Sequence, residues 1–149
     1  MMGKAVYILN GPNLNLLGLR EPDVYGHETL GDIEARLAKQ AAGLGLKIDF
    51  RQSNSEGELV DWLQEAGRDG SGVVLNAGAY THTSVALHDV LLSVNIPVIE
   101  VHISNIFARE DFRHHSYISK VADGVICGLG VMGYEFGLIA IERKINKKN

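Results

Sequence analysis

Short apolar runs alternate along this chain with stretches of helical periodicity, and that alternation constrains the fold more than any other feature. Ala5 to Leu9 is continuously apolar, as expected of a strand buried on both faces. Leu30, Ile33, Leu37, Ala41 and Leu44 then mark one helical face, with Thr29 placed to cap it. Leu46 to Phe50 reads as a second strand. Ser55 and Glu58 have the spacing of a capping box and open a helix with Leu59, Val60 and Leu63 inward. Gly72 to Leu75 reads as the third strand, and Leu87, Val90, Leu91 and Val94 as the next helix face. Pro97 to Ile103 reads as the fourth strand. A loop and a short polar helix are expected around Arg109 to Ser119. Gly124 to Cys127 is the fifth strand, and Tyr134, Leu138, Ile141 and Ile145 line a final helix.

Repeated strand–helix units favour an α/β fold with a parallel sheet covered by helices on both faces. Five units in 149 residues suggest a flavodoxin-like three-layer sandwich, its five-stranded parallel sheet in the order 2-1-3-4-5. The chain shows no linker, repeat or low-complexity segment, so residues 1–149 are expected to form a single catalytic domain.

Composition narrows the function classes. With 46% hydrophobic residues there is material for a sizeable core. A net charge of −4 argues against a nucleic-acid binder, which needs a basic stripe. Arg143, Lys144, Lys147 and Lys148 form the one basic run, expected as a solvated helix end. A single cysteine, Cys127, forbids an intrachain disulfide and is expected as a buried thiol. No stretch approaches the roughly 18 apolar residues of a membrane span. The first residues lead straight into the first strand without the pattern of a signal peptide, so the cytoplasm is the expected compartment.

The polar residues fall where each strand ends. In open parallel sheets, ligands bind outside the carboxyl ends of the strands. The first strand runs into Asn10-Gly11-Pro12-Asn13-Leu14-Asn15, and the second into Gln52-Ser53-Asn54. The third runs into Asn76-Ala77-Gly78-Ala79-Tyr80-Thr81-His82-Thr83-Ser84. The fourth holds Glu100 and His102 before Ser104-Asn105. Spacing of two puts Glu100 and His102 on one strand face, where a carboxylate can orient an imidazole. Arg20 and Tyr25 lie in a connection longer than an ordinary βα loop, so they are expected on a lid. Arg109 and Arg113, four apart, would share a helical face, as a site or as a salt-bridged surface with Glu110 and Asp111. His114 and His115 are adjacent and would not face one another on a helix, so they are not expected to form a metal pair.

Gly128-Leu129-Gly130-Val131-Met132-Gly133 matches the dinucleotide fingerprint G-x-G-x-x-G. It lies in the last unit, and the acidic residue expected about 20 positions on is replaced by the basic tail. Tight turning and close helix packing are the better reading of these glycines. The first loop carries amides and leucines rather than the hydroxyl and glycine donors suited to a phosphate. A flavodoxin-like nucleotide- or flavin-binding module is therefore the alternative to an enzyme.

The ordered set of motifs resembles one family. Leu9-Asn10-Gly11-Pro12-Asn13-Leu14-Asn15-Leu16-Leu17-Gly18, with Arg20-Glu21-Pro22-Asp23-Val24-Tyr25-Gly26, is similar to the opening of the type II dehydroquinases. Gln52 to Gly57, Asn76 to Ser84, Glu100 to Asn105 and Ala108 to Ser116 resemble its later motifs in the same order. Phe107 departs from the pattern, at a place where histidine is expected. The resemblance implies the flavodoxin-like fold and conversion of 3-dehydroquinate to 3-dehydroshikimate with no metal and no cofactor. It implies a homododecamer, a tetramer of trimers, and no nucleic-acid or membrane partner. By position, Tyr25 would be the base and His102 the acid. Asn13 would stabilise the enolate through a water, and Arg20 would sit on the closing lid. Asn76, His82, Ile103, Ser104 and Arg113 would bind substrate hydroxyls and carboxylate. Arg109 would act near the tyrosine, Glu100 would orient His102, and Asp89 would reach a neighbouring subunit's site.

Elementary chemistry asks for the same kinds of group. Removing a proton α to a ketone and a hydroxyl β to it needs a base, an acid and an enolate stabiliser. A tyrosine, with an ordinary pKa of about 10, needs a cation beside it, and Arg20 and Arg109 are the candidates. A lysine Schiff base is the other route. Lys4, Lys39, Lys47 and Lys120 all fall away from the expected rim.

Overall fold

The computed structural model describes residues 3–147. Five parallel strands, β1 (Val6–Asn10), β2 (Ile48–Gln52), β3 (Gly72–Asn76), β4 (Val98–His102) and β5 (Gly124–Cys127), form one sheet in the order β2-β1-β3-β4-β5. Among the described residues, five α-helices accompany them: α1 (Pro22–Tyr25), α2 (Leu30–Gly43), α3 (Glu56–Asp69), α4 (Val85–Leu91) and α5 (Met132–Ile145). The expected α/β class and strand order are both present.

Alternation along the strands divides the core in two. Val6 and Ile8 of β1 pack with Ile33 and Leu37 of α2 and with Leu138 and Ile141 of α5. Tyr7 and Leu9 face the other side, against Leu59 and Leu63 of α3 and Leu87 and Leu91 of α4. β1, β3 and β4 are buried along their whole length, whereas the edge strands β2 and β5 are only partly covered.

Local signals set the helix starts. Thr29 caps α2 in a complete capping box, its hydroxyl accepting from Asp32 N–H while the Asp32 carboxylate accepts from Thr29 N–H. Ser55 caps α3 through Glu58 N–H at 3.2 Å. The reciprocal bond expected of Glu58 is not formed, and Glu56 instead accepts from Ser84 Oγ.

Three expectations are corrected. β2 lies two residues later than Leu46 to Phe50, because its ladder is set by pairing Val6 with Ile48 and Asn10 with Gln52. Leu46 N–H is meanwhile held by Ala41 O at the end of α2. Arg109 to Ser119 is not a helix. Short 3-10 turns at Ile106–Ala108, Asp111–Arg113 and Ser119–Val121 replace it, so Arg109 and Arg113 share no helical face. Cys127 is half-buried on the edge strand rather than enclosed. Arg143 and Lys144 occupy the last turn of α5, as expected, while Lys148 lies outside the described residues.

Register brings the carboxyl ends of the strands together. Asn10 stands level with Gln52 and Asn76, and His102 with Cys127. Gly11 lets the loop after β1 cross the loop after β3, since a Cβ there would lie 2.3 Å from the Ala77 carbonyl oxygen.

Candidate active site

A pocket opens at this rim. Its lining includes Asn13, Arg20, Tyr25, Asn76, His82, His102, Ile103, Ser104, Arg109 and Arg113. These are all the expected site residues except Glu100 and Asp89. Glu100 lies fully buried beneath His102. Asp89 sits on α4 with its side chain 65% exposed, paired with His88, and does not reach the pocket of its own chain. No lysine is among the described lining residues.

The first group is Tyr25, at the end of the four-residue helix α1. Arg109 Nη1 donates to Tyr25 Oη at 2.9 Å and also reaches Ser104 Oγ at 3.2 Å. The guanidinium carbons of Arg109 and Arg20 stand 5.4 and 5.5 Å from the Tyr25 ring centroid. Two cations thus sit where negative charge appears if Tyr25 gives up its proton. Arg109 gains this position from the extended turn between two 3-10 segments. Arg20 also pairs with Glu21 at 3.2 Å.

The second group is a buried pair. His102 Nε2 lies 2.5 Å from Glu100 Oε2. Thr81 Oγ1 and Ser116 Oγ donate to the same oxygen at 3.1 and 3.0 Å, and Ser119 Oγ donates to Oε1 at 2.5 Å. Burial alone would push the Glu100 carboxyl up. The hydrogen bond and charge of His102, with the bonds from Ser119 and Ser116, outweigh it and hold the group below the ordinary carboxylate range. An anion at Glu100 keeps the Nε2 proton on His102 and leaves Nδ1 for a ligand.

His82 is fixed differently. Its Nδ1 lies 2.8 Å from His115 O, and a carbonyl only accepts, so Nδ1 carries the proton. Burial, with the nearby positive charge of His102 and Arg113, holds His82 below the ordinary imidazole range. Neutral His82 therefore offers Nε2 as an acceptor. Its ring stacks on that of His102, centroids 6.3 Å apart. Arg113 is steadied by Glu110 at 2.8 Å.

Asn13 takes the left-handed conformation, φ 70°, and its N–H donates to Asn54 Oδ1 at 3.0 Å. The Asn13 side chain makes no capping bond and lies along the pocket. Asn76 is held from behind by Tyr134 and from the side by Gly78 N–H.

Thr81, Ser116, Ser119, Asn10 and Tyr134 support the site but were not singled out by sequence reasoning as members of it. Asn10, Thr81 and Ser116 fall inside the family-like motifs, a signal that points to them. His114 Nε2 lies 3.1 Å from Arg109 O. Among the described residues, no group of three or more potential metal ligands lies together. The G-x-G-x-x-G glycines serve the strand beside them: Gly128 N–H and Gly130 N–H donate to His102 O and Ile103 O at 3.3 and 3.0 Å.

Comparison with known proteins adds an independent line. The model of the family described as Dehydroquinase class II matches residues 4–142. The 3-dehydroquinate dehydratase of Chelativorans sp. (strain BNC1) is 59% identical over 145 residues, covering 97% of this chain and 100% of that protein. That of Brucella canis is 60% identical over 140 residues, covering 94% and 89%. The crystal structure of type II dehydroquinase from Propionibacterium acnes superposes with a TM-score of 0.91 at 46% identity, covering 95% of this chain and 97% of that one.

Proposed function

The chain belongs to the class II dehydroquinase family, and on that premise we propose that it is a hydro-lyase converting 3-dehydroquinate to 3-dehydroshikimate in the shikimate pathway of aromatic amino acid biosynthesis. The observation that carries the reading is one pocket holding both an arginine-flanked tyrosine and a carboxylate-held histidine. Residues 1–149 act as a single catalytic domain.

In the proposed reaction, Tyr25 Oη takes the proton α to the substrate ketone. The C–H electron pair moves into the enolate, which Asn13 stabilises through a water. Collapse of the enolate expels the β hydroxyl, which takes a proton from His102 Nδ1 while Nε2–H stays hydrogen-bonded to Glu100, so one water leaves; the proton on Tyr25 Oη then returns through solvent to His102 Nδ1 and both groups are restored. Arg109 and Arg20 offset the charge on Tyr25, and Arg20 travels with the lid. Glu100 is a positioning residue for His102. Asn76, His82, Ile103, Ser104 and Arg113 bind the hydroxyls and carboxylate, and the neutral His82 suits a substrate hydroxyl donor. The chain's own groups meet every proton transfer, so the proposal includes no metal or cofactor.

We further propose a homododecamer in which Asp89 serves a neighbouring subunit's site; its exposure on α4, away from its own pocket, agrees with that role. The cytoplasm is the proposed compartment, in keeping with the lone thiol. Among the described residues, no helix is long and apolar enough to cross a membrane.

The functional test is direct. Purified protein and 3-dehydroquinate should give a product lighter by one water, and borohydride should trap no substrate–protein adduct. Absence of that product from folded protein, or a trapped imine, overturns the proposal. Light scattering at a mass other than that of twelve chains would overturn the assembly alone.

A further inference from the structure

Behind the pocket, three buried side chains form a polar line through the sheet. Asn10 ends β1, Asn76 ends β3, and Tyr134 reaches both from the first turn of α5. Asn10 and Tyr134 are fully buried, and Asn76 is 3% exposed. We propose that Tyr134, which does not line the pocket, is a positioning residue that fixes which way the Asn76 amide faces the substrate. The inference rests on the dehydratase reading above.

The argument begins at a backbone carbonyl. Arg51 O can only accept, so Asn10 must turn Nδ2 toward it, at 3.0 Å. Asn10 therefore turns Oδ1 toward Tyr134, and the phenol must donate, at 2.7 Å. A phenol has one proton. Toward Asn76 it can only accept, which requires Nδ2 of Asn76 to face it, at 2.9 Å. On its other side Asn76 Oδ1 accepts from Gly78 N–H at 3.2 Å, in agreement. Each link leaves the next one choice, so an amide that could otherwise flip has a defined polarity. What remains for a ligand is one N–H of Nδ2 and one lone pair of Oδ1, in set places.

Two glycines of α5 make the reach workable. A Cβ at Gly133 would lie 3.3 Å from Val101 Cγ1, and one at Gly137 would lie 3.2 Å from Val101 Cγ2. Both glycines let α5 approach β4 closely enough for Tyr134 to extend to β1 and β3. Burial also pushes the Tyr134 hydroxyl above the ordinary phenol range, against a smaller opposing effect of Asn76, so it keeps its proton.

Tyr134→Phe removes both hydrogen bonds and keeps the ring. With 3-dehydroquinate as substrate, KM should rise by about five- to tenfold, the loss of roughly one neutral hydrogen bond, with a smaller change in kcat. In an Asn76→Ala background the same substitution should leave KM unchanged, because the amide it positions is gone. Asn10→Ala, which frees the phenol to donate toward Asn76 instead, should raise KM in the same direction and serves if Tyr134→Phe does not fold. An unchanged KM in a folded variant overturns the proposal, as does an equal KM increase with and without the Asn76 amide. Wild-type protein without turnover would instead overturn the dehydratase reading on which the inference stands.

Discussion

Arg109 Nη1 donates to Tyr25 Oη at 2.9 Å, joining the loop after β4 to the connection between β1 and α2 across 84 positions of sequence. The same nitrogen reaches Ser104 Oγ, so the guanidinium is tied to the sheet side of the pocket while it holds the Tyr25 phenol. Arg109 thereby fixes the Tyr25 hydroxyl and, with Arg20, sets the charge around the proposed base.

Arg109→Ala should lower kcat by about 100-fold or more, the scale of a lost acid–base contribution. Arg109→Lys keeps the charge but loses the planar guanidinium that stands 5.4 Å from the Tyr25 ring centroid, and should recover only part of the rate. Steady-state kinetics on folded variants checks both, and wild-type kcat in Arg109→Ala would reject the role.

Glu100→Gln should cost rate at saturating substrate, again on the order of 100-fold, with a smaller effect on KM. It should also alter acid stability. The carboxyl is held below its ordinary value of 4.5 in the folded chain. Its contribution is therefore fully present above that value and lost as pH falls through the lower folded one. Thermal melts from about pH 7 to about pH 3 should fall less steeply for Glu100→Gln than for the parent.

A second acid-sensitive point lies away from the site. Hydrogen bonds from Arg51 and Tyr7 hold Glu65 at about 2, against the opposing effect of burial. The Arg51 guanidinium also stands 5.1 and 5.3 Å from the ring centroids of Tyr7 and Trp62. The stabilisation is present above the ordinary value of 4.5 and disappears as pH falls toward about 2. Arg51→Met should lower Tm near neutrality, and the difference from the parent should shrink in acid.

Gly11→Ala should destabilise the fold by about 1–3 kcal/mol and depress activity together. The new methyl would meet the Ala77 carbonyl oxygen at 2.3 Å, and because that oxygen is backbone, relief requires the two loops themselves to shift. The loops forced apart carry Asn13 on one side and Asn76 and His82 on the other. Chemical denaturation with parallel kinetics reads both effects.

Much of this was legible in the sequence because it depends on local pattern. Continuous apolar runs marked β1 and β3, helical spacing marked α2 and α5, and the two-residue spacing of Glu100 and His102 put them on one strand face. What escaped depends on tertiary contact. The edge strand β2 took its limits from pairing with β1 rather than from its own hydrophobicity. The polar stretch after Arg109 had the spacing of a helix but lacked an apolar face to bury, and short turns prevailed. The hydroxyls of Thr81, Ser116 and Ser119 converge on Glu100 from loops that no periodicity connects. Tyr134 was legible as a core residue, but its hydrogen bonds to Asn10 and Asn76 were not.

The most direct measurement is absorbance in the enone band of 3-dehydroshikimate, with purified protein, 3-dehydroquinate and excess chelator, for the parent chain and Tyr25→Phe side by side. The band should grow with the parent and stay flat with a folded Tyr25→Phe. A flat trace from the parent, or equal growth from both, would contradict a metal-independent dehydratase that uses Tyr25 as its base.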